Sequence, residues 1–266
     1  MPESVAHHSL IIFNCDIILS MTKREKYPKE LINLIIQYAL RKSQISKLEL
    51  IDTIKNFTPI YYLIGNNDWE FKEDSIYWEE FLERYRKGED LVELVYDMYI
   101  ENFQEFSKHK WFGCFRYRFV EDEKGYGIVK MHFLNDGTSK EGPLSSSQKG
   151  NRLKELKELF EDVKKNHPNA KYVEGGSWLY NLESYKRLFP KEYINNMKSI
   201  YPKTQMLVIW GQFINSEWGI KKDKAEQFLS RLSQAKTKED LENVFEFIEL
   251  FPKCEIKYFY DFYSKI

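Results

Sequence analysis

The chain is poor in the residues that announce chemistry by themselves. It has three cysteines in 266 residues, Cys15, Cys114 and Cys254, odd in number and far apart. No CxxC pair or Cys/His cluster has metal-ligand spacing, so no metal is expected. Three reduced thiols in a reducing, cytoplasmic compartment is the reading that this count favours. Long apolar runs are missing too. No segment approaches the roughly 18 uninterrupted apolar residues of a membrane-crossing helix, and no membrane partner is expected. Neither sign of charge dominates: 40 Lys and Arg face 41 Asp and Glu, a formal net charge of -1. That balance argues against bulk nucleic-acid binding, which needs a net basic face to neutralise phosphates. No nucleic-acid partner is therefore expected, with a local basic patch left open. There is no GxSxG, HExxH, Walker-type loop or GxGxxG, and no pair of acids stands out as a glycosidase dyad.

Aromatic residues are abundant: 18 Tyr, 19 Phe and 6 Trp. Each ring buries on the order of 150–250 Å², so the core is expected to be aromatic. The stretch Ser9 to Ser20, SLIIFNCDIILS, is apolar but interrupted by Asn14 and Asp16. It reads as a short strand or peripheral segment. Met21 begins a polar start, so the residues before it read as an extension outside the functional core.

Periodicity then gives the elements. Pro28 suits the first turn of a helix with Leu31, Ile32, Ile35, Ile36 and Ala39 on one stripe. Lys47 to Phe57 is a second amphipathic stretch. Helices follow from about Ser75 to Lys87, ended by Gly88, and from Asp90, whose pairing with Glu93 has the capping-box pattern. The period changes to two at Trp111 to Val120, and Gly127 to Leu134 completes an antiparallel hairpin. A long loop, Asn135 to Gly150, leads into a helix running to about Asn166. Tyr172 to Tyr180 and Met206 to Ile214 read as strands. Glu183 to Leu188 reads as a short helix, and Lys222 to Ser233 and Thr237 to Phe251 as the closing helices. The expected class is α+β, with a central mostly antiparallel sheet flanked by helices. A helical N-terminal extension, residues 1–64, is expected to pack on an α+β domain of residues 65–266.

Polar residues that could carry chemistry concentrate between Met131 and Pro190. His132 has an unperturbed pKa near 6.5 and suits a base, or a hydrogen-bonded structural role. Asn135 and Asp136 could orient a ligand or form a turn. Ser145, Ser146 and Ser147 could cradle an anion or cap the following helix. Gly175 and Gly176, within the expected strand, mark a bulge or a close ligand approach. Ser177, Trp178 and Asn181 could line a cleft, although an aromatic core is the commoner fate of a residue such as Trp178. Arg187 could meet a carboxylate or phosphate, or be solvated. Arg116, Arg118 and Lys130 could form a local basic face or a solvated sheet surface.

Two resemblances add to these readings. The segments GNNDWEFKEDSIYWEEFL, FGCFRYRF, HFLNDGTSKEGPLS, GGSWLYNLESYKRLFPKEY and LVIWGQFIN resemble a bacterial family of hypothetical proteins, over roughly Gly65 to Tyr263. More loosely, the order strand, loop, helix, strand, short helix resembles the coenzyme A-binding half of the GNAT acyltransferase superfamily. That similarity implies a coenzyme A thioester as cofactor, its pyrophosphate on loop amides at a helix N-terminus. Ser145, Ser146, Ser147, Gly150 and Arg152 would take that role. Asn181, Ser184, Tyr185 and Phe189 fall near an Asn, a small residue, a Tyr and an aromatic of that superfamily. Its loop pattern wants Gln or Arg three residues before a Gly, and Gly or Ala two after. Ser147 and Arg152 depart from it, and only Gly150 matches. The resemblance implies an N-acyltransferase acting on a small-molecule or peptide amine. His132 or Glu174 would remove a proton, and Tyr185 would protonate the leaving thiol. The competing expectation is a non-catalytic binding protein with an aromatic cleft.

Overall fold

A computed structural model describes residues 26–66, 71–103, 110–134, 141–199 and 204–266. The Ser9 to Ser20 segment, Cys15, Asn135 and Asp136 lie outside the described residues. No helix among those described is long and apolar enough to cross a membrane.

The architecture is α+β, with a small, mostly antiparallel sheet flanked by helices and a helical N-terminal part. The helical part opens with α1 (Lys29–Ser46), which buries Leu31, Ile32, Ile35, Ile36 and Ala39, the stripe expected from its periodicity. Pro28 sits at its N-cap, one place before the first turn. Lys47 closes the helix with φ of 57°, so the next helix starts later than expected, as α2 (Leu50–Phe57). A single turn, α3 (Ile60–Leu63), follows. Ser75 caps α4 (Ile76–Arg86) by accepting from Trp78 N–H. Asp90 caps α5 (Leu91–Glu101) by accepting from Val92 and Glu93 N–H. Both ends follow from the cap residue types.

The sheet is built from β1 (Phe115–Glu121), β2 (Gly127–Phe133), β3 (Ala170–Glu174) and β6 (Lys253–Glu255), in the order β1-β2-β3-β6. Strands β1 and β2 form the expected hairpin, with Phe115 opposite Phe133 and Glu121 opposite Gly127. Helix α6 (Lys149–Asn166) crosses over to β3, which runs parallel to β2. β6 closes the sheet antiparallel to β3. The remaining elements are α7 (Glu183–Lys186), α8 (Lys191–Asn195), β4 (Lys198–Ser199), α9 (Leu207–Trp210), α10 (Lys222–Gln234), α11 (Lys238–Glu242), β5 (Leu250–Phe251) and α12 (Lys257–Tyr263).

Two aromatic cores result. One joins α1, α4 and α5 to Trp210, Phe213, Phe228 and Phe245, so the helical packing continues beyond residue 64 and takes in residues 204–245. The other packs Phe115, Val129, Met131 and Val173 of the sheet against Leu156, Leu159 and Phe160 of α6 and Phe259 of α12.

Three sequence expectations need correction. Met206 to Ile214 is α9 followed by a 3-10 turn, Gly211–Phe213. Its buried hydrophobic residues are Ile209, Trp210 and Phe213, a helical spacing that a short apolar run hides among its other hydrophobic side chains. The helix expected from Thr237 to Phe251 stops at Glu242, although its capping box with Asp240 is present. Beyond it the side chain of buried Gln212 replaces helical partners: its Oε1 accepts from Glu246 and Phe247 N–H, and its Nε2 donates to Ile209 O. The strand expected from Tyr172 to Tyr180 ends at Glu174, and Trp178–Asn181 is a 3-10 helix.

Gly175, just beyond that end, is a point of close packing. A Cβ there would overlap the hydroxyls of Tyr180 and Tyr193, which are hydrogen-bonded to each other at 2.9 Å. Replacing Gly175 with Ala should destabilise the fold by about 1–3 kcal/mol in urea unfolding, the range for overpacking a filled core. Pairing it with Tyr180→Phe should recover part of the loss, since one of the two obstructing oxygens is gone. Additive losses would show that the steric account is wrong.

Candidate functional site

The β2-α6-β3 unit places most of the sequence-predicted residues. Strand β2 pairs with β3 only up to Lys130 opposite Glu174. It then continues to Phe133 along β1, while the chain after Glu174 stays beside residues 250–252: Gly175 N–H donates to Pro252 O, and Ser177 and Leu250 exchange both backbone bonds. The two parallel strands therefore fork. Leu134 N–H donates to Cys114 O, so even-numbered peptides of β2 face β1. By alternation those of Met131 and Phe133 face the fork.

Side chains sort by the same alternation. Val129 and Met131 enter the core, whereas His132 stands on the opposite face with Lys130. Glu174 shares that face, opposite Lys130, and is bonded to Lys253 at 2.5 Å. His132 and Glu174 are thus brought to one surface. Tyr185 is not with them. It is 2% exposed in the core, with its ring 5.5 Å from that of Phe133 and 5.0 Å from that of Tyr180. The three candidate catalytic groups are divided between two sides of the sheet.

At the head of α6, Gln148 and Lys149 N–H turn back to Ser145 and Ser146 O. Gly150 is exposed, with open space where a Cβ would stand. The serines are engaged locally: Ser147 Oγ donates to Glu141 at 2.6 Å and lies 3.0 Å from Ser145 Oγ. Arg187 clamps this loop, its Nη2 donating to Leu144 O at 3.0 Å and Ser145 O at 2.9 Å, and its Nη1 reaching Ser146 Oγ at 3.4 Å. That guanidinium ties the loop to the end of α7.

Arg152 points inward rather than at the loop. It is 4% exposed, bonded to Glu155 at 2.8 Å and in contact with Cys114 Sγ. Glu155 also accepts from Cys114 N–H at 3.1 Å, and its carboxylate fills the space over Gly113, whose φ is 57°. That turn starts β1 at Phe115, later than Trp111, and moves Cys114 into the core. Glu155 escaped the sequence reading, although its spacing of three from Arg152 is that of helical ion pairs.

Ser177 caps the 3-10 helix by accepting from Leu179 N–H. Asn181 Nδ2 donates to Trp178 O at 2.6 Å and Ile248 O at 2.8 Å. Trp178 stacks on Phe247 with ring centroids 5.6 Å apart. Above it lies Lys221, also missed in the sequence, donating to Gln212 O at 3.2 Å. Burial pushes the Lys221 ammonium pKa down, against the pull of Asp223. Among the described residues no group of three or more His, Cys, Asp or Glu is placed to hold a metal.

Burial pushes the phenols of Tyr180, Tyr185, Tyr193 and Tyr263 well above their ordinary pKa. Below pH 10 all four are protonated in folded and unfolded chains alike. As pH rises past about 10 the unfolded phenols ionise while the folded ones hold their protons. Each should then cost about 1.4 kcal/mol of stability per pH unit. The chain should unfold cooperatively within about two pH units, with phenolate absorbance and loss of circular dichroism rising together. Phenolate absorbance from these residues in a chain still folded would contradict their burial.

Scans against protein-family models, curated proteins and solved structures found no match for this chain.

Proposed function

We propose that the chain binds a coenzyme A-type thioester at the fork between β2 and β3. The observation that carries this reading is the parting of two parallel strands after Lys130 and Glu174, beside the exposed start of the helix that connects them. A forked parallel pair offers peptide groups of β2 to an extended amide-bearing arm, and a helix N-terminus offers N–H groups and a positive dipole end to a pyrophosphate. Gly150 supports the second part, because nothing crowds the helix start there.

Transfer of the acyl group to an amine would fall to His132 and Glu174, which share a face. Tyr185 acts in this reading as the floor of the fork, because its burial among Phe133, Tyr180 and Phe189 keeps the phenol from a leaving thiol. That burial favours the non-catalytic form of the reading, in which the ligand is held but not turned over by a tyrosine acid. Glu141 opposes anion binding at the same loop through its charge.

Thermal-shift titrations with acetyl-CoA and free CoA test the proposal. Saturable stabilisation is expected, about 2.7 kcal/mol at a ligand concentration 100 times Kd. Gly150→Trp, which the open space admits without disturbing the fold, should abolish the shift, and Glu141→Gln should enhance it. A flat response from the folded wild-type chain would remove the proposal. Stabilisation that Gly150→Trp leaves intact would place the ligand elsewhere.

A further inference from the structure

The sheet face opposite α6, on which His132 and Glu174 stand, carries cations and rings that the thioester reading does not use. Across all four strands one row reads Arg118, Lys130, Glu174, Lys253 in direct register. The neighbouring position on the β1-β2 hairpin pairs Arg116 with His132. Glu174 is bonded to Lys253, and the other acid of this face, Glu255, to Lys257 at 2.7 Å. Arg118 and Lys130 have no hydrogen bond or ion pair among the described residues. Like charges directly opposite each other on neighbouring strands are destabilising. An anionic ligand would remove that repulsion.

Rings lie on the same surface. Tyr126 is 39% exposed, and its ring meets that of Tyr172 edge-on at 6.1 Å. The register slips between Gly127 and Ile128, leaving Lys171 out of the pairing. The side chain of Lys171 then lies over Tyr126, 3.6 Å from the ring centroid, while Lys253 lies over Tyr172 at 4.9 Å. At the other end Arg116 covers Trp111 at 5.3 Å. The helices α6 and α12 pack on the opposite side of the sheet, through Val129 and Val173. From Ile128 to His132 the strand spans about 13 Å at ~3.3 Å per residue, room for two or three nucleotides.

We propose that this face binds single-stranded nucleic acid, with phosphates on Arg118 and Lys130 and bases stacked on Tyr126 and Tyr172. Cations alone would suit any polyanion. Rings beside them, exposed at Tyr126 and half-buried at Tyr172, suit a strand whose base faces are uncovered, which a duplex does not offer. The near-zero net charge of the whole chain does not oppose this, because the sheet sorts its cations to one side.

The test is fluorescence anisotropy of the full chain with labelled oligothymidylate and oligouridylate of about twelve nucleotides, at low salt. Saturable binding is expected, weaker for a duplex of the same length. Arg118→Glu with Lys130→Glu should weaken it at least about tenfold and lower the salt slope by about one per lost phosphate contact. Tyr126→Ala, at an exposed ring, should weaken it roughly fivefold or more. Circular dichroism shows that the variants are folded. Absence of binding by the wild-type chain overturns the proposal, as does binding indifferent to the charge reversals. Equal competition by inorganic polyphosphate together with a neutral Tyr126→Ala would show a plain polyanion surface and overturn it as well.

Discussion

Two phenol oxygens pressed against the backbone at Gly175 set the geometry of the sheet half of this protein. Tyr180 and Tyr193 share a hydrogen bond in the core, and their hydroxyls occupy the space a side chain at residue 175 would need. A buried hydroxyl without a partner costs on the order of 1–3 kcal/mol, so the two satisfy each other. Past that point the chain stays in register with residues 250–252, while β2 keeps to β1. The chain then brings the Trp178–Asn181 turn and α7 over the core.

The same constraint separates what is legible in the sequence from what is not. Helix ends declared by local chemistry are readable: Ser75 and Asp90 accept the N–H groups expected of caps, and Thr237 makes its box with Asp240. The hairpin is readable because alternation from Phe115 to Phe119 fits a half-buried strand, and a polar turn leads from it into a second strand-forming run. Gly175 stands out in the sequence as a point of close approach, but its neighbour there is the protein itself. A ligand and a pair of tyrosine hydroxyls make the same demand on a backbone, and only the fold shows which is there. The strands expected at Tyr172 to Tyr180 and Met206 to Ile214 fail because long-range partners decide them. Such partners, Leu250 for Ser177 and the N–H groups of Glu246 and Phe247 for the Gln212 side chain, are invisible to a periodicity count.

The candidate site is legible as a region more than as a set of roles. Leu144, Ser145 and Ser146 meet the Arg187 guanidinium, whereas Ser177, Trp178 and Asn181 engage residues 247–250. Their side chains, however, are largely spent on holding the loop and the short helices together. Arg152 illustrates the difference. Its place at a helix start suggests a ligand, while its burial beside Glu155 and Cys114 makes it a tie between α6 and the turn before β1. A buried pair of this kind is costly to break, because removing one partner strands a charge out of water. Residue type and position in an element do not distinguish these two fates, because both satisfy the same helical spacing.

Charge is where the whole-chain view and the folded view diverge most. A strand alternates its faces every residue, so Arg116 and Arg118 are sent to one side and Tyr117 and Phe119 to the other. Pairing in register then sets Arg118 beside Lys130 and Arg116 beside His132. Two separate stretches of sequence, each ordinary in net charge, become one cationic surface only through that register. The bulge beside Gly127 adds Lys171, bringing it to rest on Tyr126. A composition that sums to -1 is therefore compatible with a strongly basic face, provided the acids lie on other surfaces or are already paired, as Glu174 and Glu255 are. Electrostatic recognition depends on the potential within about a Debye length, ~10 Å at moderate salt, and not on the sum over the chain.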